Sequence, residues 1–143
     1  MKRANGQRNS LKLTQSDYET LAQFRYLMRK FASFSDAAAR KAGLTTQQHQ
    51  ALLAIRGFSG RERITVGELA ERLNVRHHSV VGLVDRLASR DLVRRRRDAM
   101  DGRRVLLELG PKARILLAGL SQAHRIELRR LAPRLRQLLA HLE

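Results

Sequence analysis

The chain has 143 residues, enough for one domain with its own hydrophobic core. Its 29 Lys and Arg stand against 13 Asp and Glu, a formal net charge of +16, so the expected partner is a polyanion: nucleic acid or an anionic membrane surface. With no cysteine, disulfides, thiolate metal sites and thiol redox sensing are excluded from the chain.

The basic excess is spread over the whole length. Residues 1–60 carry 10 basic and 3 acidic side chains, residues 61–104 carry 12 and 7, and residues 105–143 carry 7 and 3. No apolar stretch reaches spanning length and the first 15 residues are polar, so neither a transmembrane helix nor a signal peptide is expected. The expected location is cytoplasmic and nucleoid-associated, with no membrane partner.

In chain order, residues 1–14 are basic and unpatterned and read as a flexible arm. Three helix starts follow with one grammar: Ser16 to Glu19, Thr45 to Gln48 and Thr65 to Glu68 each fit a capping box. There a Ser or Thr oxygen takes a helix N–H, and an acid or amide three residues on reaches back. The first helix is expected from about Asp17 to Ala42, with Leu21, Phe24, Met28, Phe31 and Ala38 on its apolar face and Gly43 at its C-terminal cap. A second runs from Thr46 to about Arg56, and a third, short one from Val66 to Leu73, burying Val66, Leu69, Ala70 and Leu73. After Asn74-Val75 a fourth extends to about Arg90. Val80, Leu83, Val84 and Leu87 form its inner stripe, and His78, Gly82, Arg86 and Ser89 lie opposite.

The stretch RRRRDAMDGRRV, residues 94–105, is by itself no more than a basic tract, and such tracts are usually solvated faces. Its flanks change the reading. Leu92-Val93 precede it and Val105–Leu109 close it, so two antiparallel strands are expected around a turn containing Asp101-Gly102, a pair that favours the positive φ of tight hairpins. Gly110-Pro111 then opens a long C-terminal helix, which Pro133 is expected to split in two. Within it Leu128, Leu131, Leu135, Leu138 and Leu142 recur at steps of 3 and 4, a seam suited to a partner helix.

Short helix, tight turn, amphipathic helix and basic hairpin make up the order of a winged helix-turn-helix. The second helix of that unit reads the major groove with its first residues, here Arg76, His77, His78 and Ser79, and Arg86 lies further along its outward side. Alternate residues of a strand face opposite sides, so only some of Arg94 to Arg97 can face a duplex; Arg95 and Arg97 are the candidates. Five of the six aromatics fall within residues 18–34 and none lies in the arginine-rich region, which argues against base stacking and an RNA-binding module. Adjacent His77 and His78 point about 100° apart with no acidic cluster to complete a metal set, so no metal or cofactor is expected. Nor does a nucleophile–base–acid grouping mark an enzyme.

Residues 64–109, ITVGELAERLNVRHHSVVGLVDRLASRDLVRRRRDAMDGRRVLLEL, resemble the DNA-binding core of the multiple-antibiotic-resistance regulator (MarR) family. With the flanking helices the resemblance covers roughly residues 15–142, and its most specific feature is the wing signature Asp101-Gly102-Arg103. It implies a mainly α fold with a small β-hairpin wing, a DNA-binding lobe over about 45–109, and dimerisation helices over about 17–42 and 111–142. Arg103 is then expected in a minor groove, with Asp101 helping to hold the wing. The implied function is a homodimeric, ligand-responsive repressor on a pseudo-palindromic operator in double-stranded DNA. A small anionic or phenolic effector would be lined by Arg25, Tyr26 and His49. The chain departs from the family at Arg76, where a Ser-like cap is usual, at Gly82, where a larger residue is common, and at Asp91, which replaces Gly before Leu-Val. The alternative function is a nucleoid-type protein that coats DNA without sequence preference.

Overall fold

The computed structural model describes residues 12–58, 60 and 62–143, so most of the expected basic arm lies outside the described residues. These residues form α1 (Gln15–Lys41), α2 (Thr46–Arg56), β1 (Ile64–Thr65), α3 (Val66–Leu73), α4 (His77–Ser89), β2 (Val93–Arg97), β3 (Val105–Leu109) and α5 (Pro111–Ala140). The chain divides into two compact units, one holding residues up to Phe34 together with Arg125–Glu143, the other Ser35–His124.

Two of the three expected capping boxes are present. Thr45 and Thr65 each accept the N–H three residues on, at 3.1 Å, and Gln48 and Glu68 reach back to their backbone N–H groups. The first box lies two residues earlier than expected. Thr14 accepts the Asp17 N–H at 3.2 Å, and the Asp17 carboxylate accepts the Thr14 N–H at 2.7 Å and its hydroxyl at 3.0 Å. Those hydrogen bonds to the charged form hold the Asp17 carboxyl below its ordinary value. The short Asp side chain closes this box, and Ser16 lies inside the helix instead, 2.6 Å from His141 Nε2. Gly43 ends α1 as expected, with φ at +80° while Leu44 N–H returns to the Ala39 carbonyl at 2.9 Å.

The buried line of α1 runs through Thr20, Leu27, Ser35 and Ala39, flanked by half-buried Phe24, Met28 and Phe31. Leu21, expected on that face, is 46% exposed. Small hydroxyl residues occupy the inner line without leaving an orphan donor, since Thr20 Oγ1 donates to the Ser16 carbonyl at 2.9 Å. A second correction concerns Pro133, which does not split α5: one helix runs through it. Proline removes a single N–H, and the carbonyl it frees belongs to Arg129. Both residues are exposed, so water can take that carbonyl while the surrounding ladder continues.

The core of the second unit is a single cluster. Leu52 and Ile55 of α2, Leu69 of α3, Val80, Val84 and Leu87 of α4, Leu92, and Leu107 of β3 are all essentially inaccessible. The expected inner stripe of α4 is the buried one. The hairpin gains a third strand: β1 pairs antiparallel with β3, Ile64 opposite Leu107, giving the order β1-β3-β2. In β2, Val93 stands opposite Leu109 and Arg97 opposite Val105. At the base of the hairpin Gly110 N–H meets the Leu92 carbonyl at 2.9 Å. A Cβ on Gly110 would come within 2.6 Å of the Asp91 carbonyl oxygen, so only glycine fits.

Candidate nucleic-acid interface

The wing turns at Asp101-Gly102 as expected, but with other backbone angles. Neither residue is among those with positive φ, so the turn over residues 101–104 is not the positive-φ hairpin turn that Asp-Gly favours. Seven residues, 98–104, separate β2 from β3. Two aspartates shape them: Asp98 Oδ1 accepts the Met100 N–H at 2.9 Å, and Asp101 Oδ1 accepts the Arg103 N–H at 3.1 Å. The Arg104 N–H returns to the Asp101 carbonyl at 3.0 Å, and the Asp98 N–H bonds the Arg104 carbonyl at 3.0 Å. Each carboxylate thus takes the N–H two residues on, the Asx-turn pattern, and no left-handed residue is needed. Asp101 holds the wing tip from within, and Arg103 leaves that turn exposed, with no ionic partner among the described residues.

The four consecutive arginines do not share one fate. Arg94 pairs with Asp91 at 3.4 Å, Arg95 with Asp85 of α4, and Arg96 with Glu108, which also takes Arg63 at 3.1 Å. Arg97 is exposed and has no ionic partner among the described residues. Strand alternation puts Arg95 and Arg97 on the side of Val93 and Leu107, the side that faces the core. Of the two expected DNA-facing members, Arg95 therefore braces the hairpin against α4, and Arg97 is available. Arg104, at the end of the turn, reaches Glu68 of α3 at 3.8 Å. The sequence reading missed these braces. The signal available for the loop was Asp followed two residues later by a residue needing an N–H acceptor.

At the start of α4, Arg76, His77, His78 and Ser79 are all exposed. Arg76 occupies the cap position with extended backbone, φ −71° and ψ 149°, but its side chain makes no capping hydrogen bond. The departure at Asp91 is also visible. It adopts φ 55°, the left-handed conformation that glycine takes most easily and Asp tolerates. Arg86 is exposed on the outward side of α4 beside Gly82, where an added Cβ would lie 3.6 Å from its Nη1.

Among the proposed effector-lining residues, Arg25 and Tyr26 are exposed on α1, with the Lys30 ammonium 5.6 Å from the Tyr26 ring centroid. His49 is buried in the second unit, its ring 4.8 Å from that of His124. His124 Nδ1 lies 2.7 Å from the Leu120 carbonyl and Nε2 2.8 Å from Ser35 Oγ, so the neutral ring donates at Nδ1 and accepts at Nε2. His49 Nδ1 is buried without a hydrogen-bond partner. In the leucine seam, Leu131, Leu135 and Leu138 are half-buried and Leu128 and Leu142 exposed. The described residues contain no cluster of three metal-ligating side chains and no helix long and apolar enough to cross a membrane.

The MarR family model matches residues 42–104, the stretch that contains α2 through the wing turn. A solved structure of a probable transcriptional regulator from Pseudomonas aeruginosa is 32% identical, with a TM-score of 0.57, over 84% of this chain and 96% of that one. The chain belongs to the MarR family. It is accordingly a DNA-binding transcriptional regulator with the winged helix-turn-helix fold. Wild-type MarR from E. coli matches in fold at 20% identity with a TM-score of 0.68, over 92% of this chain and 98% of that one. A MepR mutant from S. aureus, solved bound to an oligodeoxyribonucleotide, matches at 19% identity with a TM-score of 0.65, over 92% of this chain and 100% of that one. Comparison with curated proteins finds no match.

Burial and the neighbouring His124 both lower the proton affinity of His49. The folded protein therefore holds His49 neutral to lower pH than the unfolded chain, whose histidine protonates near pH ~6.5. Its contribution to stability is complete above that value and declines as pH falls from there through the folded-state pKa. Thermal melts of wild type and His49→Gln at pH 7.5 and 5.5 check this: the wild type should lose more stability on acidification than the variant. Equal losses would show that the buried ring is not responsible.

Proposed function

We propose that this MarR-family chain acts as a homodimer on a pseudo-palindromic operator and represses from it. The observation that carries this reading is the pair of exposed, ionically unpartnered features on one unit: the Arg76–Ser79 start of α4 and the Arg103 wing tip. In this reading α4 enters a major groove, where Arg76 and the histidines meet base edges or phosphates. Because Arg76 supplies no side-chain cap, the His77 and His78 N–H groups at the start of α4 stay available to a phosphate oxygen. Arg103 enters the adjacent minor groove, and Arg97 and Arg86 contact phosphate. Arg95 acts through the hairpin, holding its angle to α4 by way of Asp85.

Dimerisation is supported by what the first unit leaves uncovered. Leu21, Leu128, Leu139 and Leu142 are between 44% and 51% exposed, an apolar surface that a second copy would cover. An anionic or phenolic effector would favour dimers whose two reading helices are wrongly spaced for an operator, lowering affinity by a population shift.

Two expected outcomes follow from this reading. Leu135→Asp places a charge in the leucine seam and should turn a dimer into a monomer at micromolar concentration, as light scattering would report. A wild-type monomer in that range removes the dimer, and the palindrome with it. Arg103→Ala should weaken operator binding by roughly tenfold or more and erase a preference for A·T-rich flanks, since a narrow A·T minor groove concentrates negative potential. Titrations on operators with A·T and G·C flanks measure both effects. An equal loss on the two would mean that Arg103 contributes charge without sensing groove shape.

A further inference from the structure

Excess positive charge is not concentrated where the wing is. In the winged unit, residues 35–124, 17 basic side chains stand against 9 carboxylates, an excess of 8 over 90 residues. In the other unit, residues 12–34 and 125–143, 9 stand against 4, an excess of 5 over 42 residues. The unit without the wing is the more densely cationic.

Its charges are also less neutralised. In the winged unit Asp85, Asp91, Glu62, Glu68 and Glu108 each hold at least one arginine. In the other unit Glu127 takes Arg130 at 3.3 Å, while Asp17 is committed to the cap at Thr14. Arg125, Arg129 and Arg136 of α5 are exposed and have no ionic partner among the described residues. At helical spacing they fall within about 40° of one another and span roughly 16 Å of the helix. The centre of the Leu131, Leu135 and Leu138 stripe lies roughly 130° away, so covering the leucines leaves the arginines outside.

Arg125 and Arg129 are four residues apart, a like-charge spacing that weakens a helix by a few tenths of a kcal/mol (about 0.2–0.5) unless something offsets it. A polyanion lying along the row would offset that repulsion at all three positions. Ala132 stands between Arg129 and Arg136, and the exposed Ile126 and Leu139 lie roughly 80° and 60° round the helix from the row, so the arginine face itself carries no bulky apolar side chain to sink into a lipid interface. α5 also has no Phe, Tyr or Trp on which single-stranded bases could stack. A rigid row of arginines with neither feature suits the phosphates of a duplex.

We infer that the α5 face bearing Arg125, Arg129 and Arg136 binds the backbone of a second DNA segment, so that one assembly bridges two duplexes. The contact is sequence-independent and reads no base. It shares with the proposed function only the binding of a first duplex by the winged unit.

The test is a bridging assay on the full chain. A biotinylated duplex on beads is saturated with protein and washed, and capture of a fluorescent second duplex is followed across a salt titration. Three proteins are compared: wild type, the triple variant Arg125→Gln/Arg129→Gln/Arg136→Gln, and the charge-keeping triple Lys variant. Circular dichroism and light scattering confirm that helix content and assembly are equal. Wild type and the Lys variant should capture the second duplex. The Gln variant should hold the first duplex as before but capture the second at least tenfold less, with a salt slope lower by about 3, near 0.9 for each contact removed. Equal capture by the Gln variant overturns the inference. So does a wild type that ignores the second duplex at salt where the first is held. Retention of wild type but not the Gln variant on phosphatidylserine vesicles, without second-duplex capture, assigns the face to a membrane and overturns it as well. Failure to hold the first duplex would speak against the proposed function instead. The arginine face is then read from the affinities of wild type and Gln variant for free duplex, where equality overturns it.

Discussion

The pairing of Ile64 with Leu107 is the constraint on which the winged unit depends. Both side chains are fully buried, and their backbones form the β1–β3 ladder. The next residue, Thr65, caps α3. One short ladder thus ties the inner strand of the wing to the first turn of the helix-turn-helix, so wing and reading helix belong to one rigid piece. Burying a leucine or isoleucine is worth about 1.5–3 kcal/mol, whereas an exposed ion pair contributes about 0–1 kcal/mol. Burial therefore holds the frame. The braces Arg95–Asp85 and Arg104–Glu68 set the hairpin's direction and add little to stability.

That division explains the arginine-rich stretch. As sequence, Arg94 to Arg97 are four equal charges. In the fold each meets a different acid or none, according to which face of β2 it leaves and what stands opposite. Glu108 serves both Arg63 and Arg96, and Asp91 serves Arg94 from a left-handed position before the strand. Among the described residues, the groups of this stretch left without acids are Arg97 on the strand and Arg103 at the tip. Charge that looks redundant in sequence divides into paired and unpaired groups once the strand register is known.

Local grammar was legible where two residues signal together. Thr45 with Gln48 and Thr65 with Glu68 marked the starts of α2 and α3, and the Val80–Leu87 stripe marked the buried side of α4. Readings failed where one residue was weighed without its surroundings. Ser16 looked like a cap until Thr14 and Asp17 proved better placed. Leu21 outweighed the smaller Thr20 on the inner line of α1, and Pro133 looked like a break although its carbonyl partner is solvated. β1 could not be read at all, because two residues carry no period. The candidate site was legible in kind: an exposed helix start and a basic hairpin. The Asx geometry of the wing turn and the partner of each arginine depend on register and tertiary contact. His49, read as an effector-lining residue, is buried against His124, a contact 75 residues away in sequence that no local pattern encodes.

In the proposed function, α4 and the wing, held as one frame, read a specific site twice in a dimer. Sequencing the genomic fragments retained by the purified protein under competition with bulk DNA tests this most directly. The expected result is an enriched inverted repeat with half-sites about one helical turn apart, roughly 10 base pairs, and A·T-rich steps where the wings lie. Retained fragments with no common motif, displaced equally well by bulk DNA and by their own sequence, would contradict it.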